Sequence, residues 1–471
     1  MVDFSNLIFL YILLPVIILV YFLFPEMRQK NWVILAASLL LYSMGNILHL
    51  ILLVALCFVN WKLSLRIDSQ ERSTMLLPVG LNLLVLAVFK YAAPFLNTAG
   101  FGMRTVTIAF PLGLSLVVLS AISYFVDVYS GRSDPEPEFT YFLLYMLMFS
   151  KLVQGPIVRY ERIFDQLENR KHHPRAVFEG LQRFLFGLAK KLLLADHCGM
   201  ILTQVNDMGA DTTLVGVWFA GILFLFRIYY ELSGYADMAI GLGKIFGFHF
   251  PENFNRPFLC LTVKEFWGSW NMTLGSFFRD YLYLPLGGKE MGNVRRIANL
   301  LIVCLAAGLW HGAGLHYVLW GLYIFAVLVL EESLTPMLES LPDWVCRCVT
   351  LWFVLLGWII FSNDSTDALK EAGLALLGYG HFSVEGLGTI ILRSIPLLLL
   401  CFFGCTEVPV VCGQFFRRIC GMGRRRIEAN RVTVMRMVYL AASVGAMLIL
   451  LYLCTVNMVR YPVLPGIYTG F

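Results

Sequence analysis

The chain has 471 residues, of which 59% are hydrophobic and 14% are charged, and its mean hydropathy is +0.73. Soluble domains average about 45–50% apolar and about 25% charged residues, so this apolar excess excludes a single soluble core. The net charge of +5 lies in loops between apolar segments, where it reports membrane orientation and gives no sign of a nucleic-acid partner. We therefore expect residues 1–471 to form one all-α domain that crosses a membrane many times.

The apolar runs predict a series of spanning helices, judged against the roughly 20 residues that a bilayer requires. In chain order the predicted spans are residues 4–24, 31–45, 47–61, 75–93, 109–128, 140–154, 180–203, 213–235, 297–310, 314–331, 345–362, 386–405 and 437–459. The first run lacks the basic start and small-residue cleavage site of a signal peptide, so we expect it to be retained. Residues 364–377 predict an amphipathic helix at the membrane surface. The expected total is about 10–13 helices, including interfacial and re-entrant segments.

Residues 236–296 contain no clean span and mix aromatic residues with Asn, Arg, Asp, Pro and Gly. Irregular backbone is tolerated at membrane depth only where protein or a water-filled cavity surrounds it. Within this stretch, Asn271 carries an amide that can orient an acyl carbonyl or stabilise charge on its oxygen. Arg279 and Asp280 are adjacent and would point about 100° apart on a helix, so they need not pair with each other. An interfacial aromatic belt with a basic anchor is the alternative interpretation.

His311 lies in an apolar run, at Trp310-His311-Gly312, where glycines on both sides allow a helix to break. A neutral imidazole can take a proton from a hydroxyl at physiological pH, so this position suits a general base. The alternative is a structural histidine that is hydrogen-bonded between helices. His316, five residues further on, is the nearest rival, and we interpret it as interfacial or structural.

Basic residues indicate the orientation of the chain in the membrane. Two follow the first predicted span and three follow the third: Arg28, Lys30, Lys62, Arg66 and Arg72. A loop between residues 417 and 436 adds seven arginines and a single acid, Glu428. The positive-inside bias places these loops in the cytoplasm and both termini outside. Some of these side chains could instead snorkel from helix ends.

Six stretches together resemble the membrane-bound O-acyltransferase superfamily, and within it the bacterial branch that O-acetylates alginate and other exported polysaccharides. They are FPLGLSLVVLSAISYFVDVYSG (110–131), LVQGPIVRYERI (152–163), ELSGYADMAIGLGKIFGF (231–248), PENFNRPF (251–258), FRDYLYLPLGG (278–288) and GLWHGAGLHYVLWG (308–321). The resemblance implies a ring of helices around a central funnel, where a cytoplasmic donor meets an acceptor from the outer side. It also implies that His311, the histidine of the WHG element, is catalytic.

The chain departs from the polysaccharide branch at one motif. Where that branch typically reads FWRRWH, residues 266–271 read FWGSWN, so two arginines are replaced and Asn271 takes the place of a histidine. An asparagine followed by a distant histidine is seen in superfamily members that acylate lipids or secreted proteins. The resemblance therefore favours acyl transfer and leaves the acceptor open. Further candidates for lining the substrate tunnel are Trp310, Trp267, Trp270, Arg279, Asp280, Ser233, Tyr235 and Asp237.

The resemblance implies transfer of an acetyl or other short acyl group from a cytoplasmic thioester to a hydroxyl of an exported or cell-envelope polysaccharide. The donor is expected to be acetyl-CoA or an acylated carrier protein, with no bound cofactor and no metal. His311 is expected to deprotonate the acceptor hydroxyl or a partner's nucleophile, while Asn271 holds the thioester carbonyl. Surrounding membrane lipids are the remaining expected partners.

Partner and location follow from the same resemblance. It implies an extracytoplasmic partner of the serine-esterase-like type and a multi-pass position in the bacterial cytoplasmic membrane. The alternatives are D-alanyl transfer to teichoic acid from a carrier protein, and O-acylation of lipids or proteins. A transporter or channel is the non-enzymatic alternative, because broken helices and intramembrane charge also mark substrate paths.

Overall fold

A computed structural model describes residues 4–98, 108–152, 154–288, 292–379, 381–406 and 429–466. Within these ranges the chain is helical, with no β-strand. The helices are α1 (Phe9–Leu23), α2 (Met27–Ser43), α3 (Ile47–Ser64), α4 (Arg72–Thr98), α5 (Leu114–Tyr129), α6 (Phe139–Leu147), α7 (Phe149–Leu152), α8 (Tyr160–Asn169), α9 (Pro174–Ala189), α10 (Asp196–Asp207), α11 (Leu214–Ile245), α12 (Val263–Ser269), α13 (Met272–Phe278), α14 (Asn293–His311), α15 (Leu315–Leu338), α16 (Asp343–Ser362), α17 (Thr366–Leu376), α18 (Leu387–Gly404) and α19 (Ala429–Arg460).

The length and apolar character of these helices confirm a polytopic membrane protein. Among the described residues, eight helices are long and apolar enough to cross a bilayer: α3, α4, α11, α14, α15, α16, α18 and the Leu440–Arg460 part of α19. Shorter apolar helices cover Phe9–Leu23, Leu114–Tyr129 and Phe139–Leu152. Residues 364–377 form the predicted helix as α17, which Ser365 caps by accepting from the amide of Ala368.

Helices α1 to α4 follow one another through short connections and pack in sequence, so alternate connections lie on opposite faces. The connections after α1 and α3, together with the helix turns on either side of them, carry Arg28, Lys30, Lys62, Arg66 and Arg72, and we name that side the basic face. The hydroxyl of Tyr21, near the end of α1, donates to the carbonyl of Phe246 at 2.8 Å. The carboxyl end of α11 therefore lies at the basic face. Residues 407–428, which hold most of the predicted basic loop, fall outside the described ranges.

Helix α11 is the central element of the fold, with 67% of its most apolar stretch buried. It packs against α9 through two pairs of glycines, Gly180 with Gly241 and Gly187 with Gly234. A Cβ at Gly187 would lie 2.4 Å from the carbonyl oxygen of Gly234, and one at Gly180 would lie 2.7 Å from that of Gly241. Only glycine permits this approach of two backbones, as in other membrane helix contacts.

The predicted spans and the observed helices differ in several places. Residues 180–203 do not form one regular helix, because the π-helical turn Lys190–Ala195 separates α9 from α10. Lys190 reaches Asp237 of α11 at 2.6 Å, and this pairing allows α11 to continue to Ile245 rather than end near residue 235. Residues 140–154 are likewise interrupted, at Met148, between α6 and α7. The irregular character predicted for the region after α11 is confirmed from residue 246 onward.

Helices α14 and α15 form a tight hairpin that places His311 at its tip. A Cβ at Gly308 would lie 2.4 Å from the carbonyl oxygen of Tyr317, and one at Gly321 would lie 2.6 Å from that of Cys304. The glycines therefore allow the two backbones to touch. Since α14 ends at His311, the turn to α15 begins immediately after the candidate base.

Candidate active site

His311 is buried in a box of aromatic rings, with 6% of its surface exposed. Its ring centroid lies 4.8 Å from that of Trp310, 5.4 Å from that of Trp320 and 5.0 Å from that of Phe361. Helices α15 and α16 supply two of these rings, so three helices fix the imidazole. A water-poor surrounding of this kind suits a base that must take a proton from a hydroxyl.

His316 does not share this setting. It is also buried, with 8% exposed, and its ring lies 3.9 Å from that of Tyr317. Neither His311 nor His316 is among the residues that line the two large cavities described below. The two histidines therefore have different ring neighbours although they are five residues apart, and His316 packs against Tyr317.

Two side chains of α4 hold the carboxyl end of the helix that carries His311. The Lys90 ammonium donates to the carbonyl of Trp310, and the Tyr91 hydroxyl donates to the carbonyl of Leu309. The last carbonyls of a helix have no partner within it, so both contacts stabilise the final turn. Lys90 was missed by the sequence reasoning, although it is the single charged residue of the predicted span 75–93.

Asn271 begins α13 in a left-handed backbone conformation, with φ 41° and ψ 54°. Its carbonyl accepts from the amides of Leu274 and Gly275, both at 3.0 Å. Among residues with side chains, Asn, Asp and His are the most frequent in this conformation. The position therefore accepts either the asparagine of this chain or the histidine of the polysaccharide branch without a change of backbone.

Asn253, which the sequence reasoning did not single out, anchors the segment directly after Asn271. Its carbonyl accepts from the amide of Met272 at 2.9 Å. Its side-chain oxygen accepts from the amide of Thr273 at 3.1 Å and from the hydroxyl of Thr273 at 2.8 Å. These contacts join the loop before α12 to the start of α13.

The predicted tryptophans connect the Asn271 segment to the aromatic box. The ring of Trp267 lies 5.4 Å from that of Trp320, and the ring of Trp270 lies 5.1 Å from that of Trp358. Trp320 contacts His311 directly, and Trp358 packs on Phe361, which also contacts His311. A continuous set of ring contacts therefore links Trp270, the neighbour of Asn271, to His311.

A first cavity, which we name the outer cavity, spans about 660 Å³, including space that is open to the surroundings. Asn271 and Trp310 both line it. Polar side chains from α4, from α5, from the loop after α7 and from the loop before α12 also line it: Lys90, Ser115, Gln154 and Asn253. Its walls include the carboxyl half of α4 and the first turn of α5, which lie away from the basic face. The outer cavity therefore reaches the candidate site from the side opposite the basic face.

A second cavity, the inner cavity, encloses about 620 Å³ and contains two more of the predicted residues, Ser233 and Asp237. Asp237 precedes the end of α11 by two helical turns, or about 12 Å, so this cavity lies toward the basic face. The Ser233 hydroxyl is buried and forms no hydrogen bond within the described part of the chain. Asn253 lines both cavities, and Leu232 of the outer cavity precedes Ser233 of the inner one.

Ion pairs give the inner cavity a charged wall. Asp237 accepts from Arg183 at 2.8 Å and from Lys190 at 2.6 Å, and Arg183 also pairs with Glu252. Arg256 completes the wall, in a left-handed conformation with φ 50°. Strained backbone of this kind in a residue other than glycine concentrates at functional sites.

Five predicted tunnel residues line neither cavity: Trp267 and Trp270, which pack against the aromatic box, and Arg279, Asp280 and Tyr235. The expectation that Arg279 and Asp280 need not pair was wrong: Arg279 donates to Asp280 at 2.7 Å, within the π-helical turn Arg279–Tyr283. Burial alone would raise the pKa of Asp280, but hydrogen bonds from Arg279 and Arg159 hold it below its usual range. Neither residue lines the two cavities, and the same is true of Tyr235, whose ring packs 6.5 Å from that of Phe4 in the core.

Comparison with known proteins shows which family this chain belongs to. The profile of the MBOAT, or membrane-bound O-acyltransferase, family matches residues 34–365, which include Asn271 and His311. The chain is 32% identical to a probable alginate O-acetylase AlgI of Pseudomonas aeruginosa, over 86% of this chain and 82% of the relative. It is 27% identical to a peptidoglycan O-acetyltransferase of Helicobacter pylori, over 81% of each chain.

A more distant relative is named for a different reaction. A teichoic acid D-alanyltransferase of Bacillus subtilis is 26% identical over 47% of this chain and 60% of its own length. All three relatives are named for the transfer of an acyl group. The chain belongs to the membrane-bound O-acyltransferase family and is an O-acyltransferase.

Proposed function

We propose that this enzyme transfers an acetyl or other short acyl group from acetyl-CoA to a hydroxyl of an exported or cell-envelope polysaccharide. The observation that carries the proposal is the arrangement of the two cavities, which approach from opposite faces and share Asn253. A donor from one side and an acceptor from the other can therefore meet next to Asn271 and the aromatic box around His311. A single cleft of the kind found in many soluble enzymes would not provide two separate entrances.

The inner cavity suits the donor. It lies toward the basic face, which the positive-inside bias assigns to the cytoplasm, where thioesters are made. Its wall carries three cationic groups, Arg183, Lys190 and Arg256, against two carboxylates, Asp237 and Glu252, and this net positive charge complements the phosphates of coenzyme A. The buried Ser233 hydroxyl adds a hydrogen-bonding group at the inner end, close to Asn253.

The reaction follows from the chemistry of the two candidate groups. His311 accepts the proton of the acceptor hydroxyl as its oxygen attacks the thioester carbonyl. The Asn271 amide donates to the carbonyl oxygen, which becomes negatively charged in the tetrahedral intermediate. Collapse of the intermediate breaks the carbon–sulfur bond, and the leaving thiolate takes the proton back from the His311 imidazolium. The products are the O-acyl ester and the free thiol.

The acceptor side is proposed from the relatives. Alginate and peptidoglycan, the glycans in their names, are both located outside the cytoplasm, so a glycan hydroxyl is the proposed final acceptor. An extracytoplasmic protein of the serine-esterase type is proposed to receive the acyl group first, on its serine hydroxyl, and to complete the transfer. For both steps the enzyme is proposed to lie in the bacterial cytoplasmic membrane.

A donor panel tests the proposal. The purified enzyme in liposomes is offered radiolabelled acetyl-CoA, long-chain acyl-CoA and a D-alanyl-charged carrier protein, and release of the free thiol is measured. We expect acetyl-CoA to be turned over fastest. A rate that peaks at long acyl chains would replace the proposal with lipid or protein acylation, and turnover of the charged carrier alone would replace it with D-alanyl transfer.

A further inference from the structure

Asn253 lies where the two cavities meet, because it lines both of them. Only 5% of its surface is exposed, so the side chain is enclosed on most sides. The outer cavity also contains Asn271, and the inner cavity contains Ser233. A thioester that enters through the inner cavity and reaches Asn271 therefore passes the side chain of Asn253.

The orientation of the Asn253 amide is fixed by its partners in α13. The side-chain oxygen accepts from the amide and from the hydroxyl of Thr273, at 3.1 Å and 2.8 Å. A backbone N–H can only donate a hydrogen bond, so the atom that faces Thr273 is the oxygen and not the nitrogen. The Thr273 hydroxyl in turn accepts from the amide of Ile157 at 3.0 Å, which leaves its own proton for Asn253.

The amino group of Asn253 has no partner within the described part of the chain. Its Nδ2 atom donates to no described residue, and it is not sealed off by protein. The amide is planar and its oxygen is directed at Thr273, so the amino group is directed away from Thr273 and toward the space that the two cavities share. A polar group in such surroundings is stabilised when a ligand supplies the missing partner.

A second amide lies close by, on Asn271. The carbonyl of Asn253 accepts from the amide of Met272, the residue directly after Asn271, at 2.9 Å. The Asn271 side chain does not cap the helix that it begins. Both amides therefore line the outer cavity, on two segments that hydrogen bonds hold together.

We propose that Asn253 is a catalytic residue, whose side-chain amide donates to the carbonyl oxygen of the thioester together with that of Asn271. The inference rests on the proposed function, because it takes the thioester to enter through the inner cavity. Negative charge forms on this oxygen when the acceptor oxygen bonds to the carbonyl carbon, and it is lost when the carbon–sulfur bond breaks. An oxyanion accepts more than one hydrogen bond, so two amides stabilise the intermediate more than Asn271 alone.

A purely structural role for Asn253 predicts something different. In that case the residue serves only to hold the start of α13, through the oxygen that accepts from Thr273. Asn253→Asp keeps an oxygen acceptor at the same place and removes both N–H donors. Thr273→Val has the opposite effect, because it removes the hydroxyl contact with Asn253 and leaves the amides of Asn253 and Asn271 unchanged. Thr273→Val is therefore the matched control.

Kinetics with acetyl-CoA measure the contribution of the Asn253 amide to the transfer step. The purified variants are assayed in liposomes for release of the free thiol, and thermal unfolding in detergent shows that they fold. Loss of one oxyanion donor should lower kcat by about 10²–10³-fold in Asn253→Asp, with the KM for acetyl-CoA within a few-fold of wild type. Thr273→Val should lower kcat by less than about tenfold, because it keeps both donors.

An infrared measurement detects the hydrogen bond itself. The probe is a methyl ketone analogue of acetyl-CoA, with an isotopic label in its carbonyl group and a methylene group in place of the sulfur, so that no transfer occurs. Hydrogen bonds to a carbonyl lower its stretching frequency. The band of the bound analogue should lie lowest in the wild type and in Thr273→Val, and it should shift upward in Asn253→Asp and in Asn271→Gly.

Wild-type kcat in Asn253→Asp, an equal loss in Thr273→Val, or the same carbonyl frequency in the wild type and Asn253→Asp would each overturn the inference. If Asn253→Asp does not fold, the band in Asn271→Gly decides. With Asn253 as the second donor this band stays below the frequency of the analogue in an apolar solvent, and without it the band reaches that frequency. An enzyme that neither binds nor turns over acetyl-CoA contradicts the proposed function instead, and the kinetic comparison is then made with the thioester that the donor panel selects.

Discussion

Asn271 suits its position for two physical reasons. Its backbone is left-handed, with φ 41°, a conformation that asparagine and histidine adopt more often than most residues with side chains. Its side chain lines the outer cavity, where an amide can donate to a carbonyl oxygen. The departure from the polysaccharide branch at this position therefore keeps the local backbone and changes only the group that meets the substrate.

Two substitutions distinguish the backbone role of Asn271 from the role of its side-chain amide. Asn271→Gly permits the left-handed backbone without strain and removes the amide, so acyl transfer should fall by about 10²–10³-fold while the thermal stability stays close to wild type. Asn271→Ala should show the same loss together with a destabilisation of about 1–2 kcal/mol. Transfer rates and thermal unfolding in detergent check both. Wild-type activity in Asn271→Gly would leave Asn271 with a backbone role alone.

The residues of the site differ in how far the sequence could reveal them. His311 is a polar residue in an apolar run between glycines, and that local pattern suffices to single it out. Lys90 carries the same kind of signal, a single charge within a predicted span. The partner of Tyr91 could not be predicted, because the hydrogen bond joins residues 218 positions apart and depends on how α4 meets α14.

At the scale of elements, glycine contacts and ion pairs determine how α9 and α11 pack. The predicted span ended near residue 235 because Asp237 is costly in an apolar helix. The structure compensates Asp237 with Lys190 and Arg183, which lie 47 and 54 positions away in the chain. Composition and periodicity thus predicted that these helices exist. Their ends could not be predicted, because they depend on ion pairs between residues that are far apart in the sequence.

The close contact of α9 and α11 makes a stability prediction. In Gly187→Ala the new Cβ would meet the Gly234 carbonyl oxygen at 2.4 Å, so the helices must separate at a cost of about 1–3 kcal/mol. The matched control is Gly373→Ala in α17, where a Cβ meets nothing within 4 Å and should stabilise the helix slightly. Thermal unfolding in detergent measures both. Equal stabilities for the two variants would contradict the packing described for α9 and α11.

For the whole molecule, the informative feature is the pair of cavities that meet at Asn253. The resemblance to a known superfamily implied a central funnel where a cytoplasmic donor meets an acceptor from the outer side, and the motif PENFNRPF contains Asn253 itself. The sequence alone does not predict which residues face which entrance, because the walls combine residues from α4, α5, α9, α11, α13, α14 and α18 with those of the intervening loops. Adjacent residues such as Leu232 and Ser233 even line different cavities.

The two entrances should be separable by kinetics. Ser233→Leu narrows the inner cavity, and we expect it to raise the KM for the thioester by about tenfold or more, since the donor loses space and a hydrogen-bonding group. Ser115→Leu narrows the outer cavity and should instead raise the KM for the acceptor. Steady-state kinetics with each substrate varied in turn provide the measurement. If both variants raised the same KM, the cavities would not be separate routes.

The most direct test of acyl transfer at His311 compares two buried histidines. His311→Ala and the matched control His316→Ala are purified, shown to unfold at similar temperatures, and assayed in liposomes for acyl transfer from labelled donor. Loss of the base should lower the rate by about 10²–10⁴-fold in His311→Ala, while His316→Ala stays within a few-fold of wild type. Wild-type turnover by His311→Ala, or an equal loss in both variants, would contradict the account.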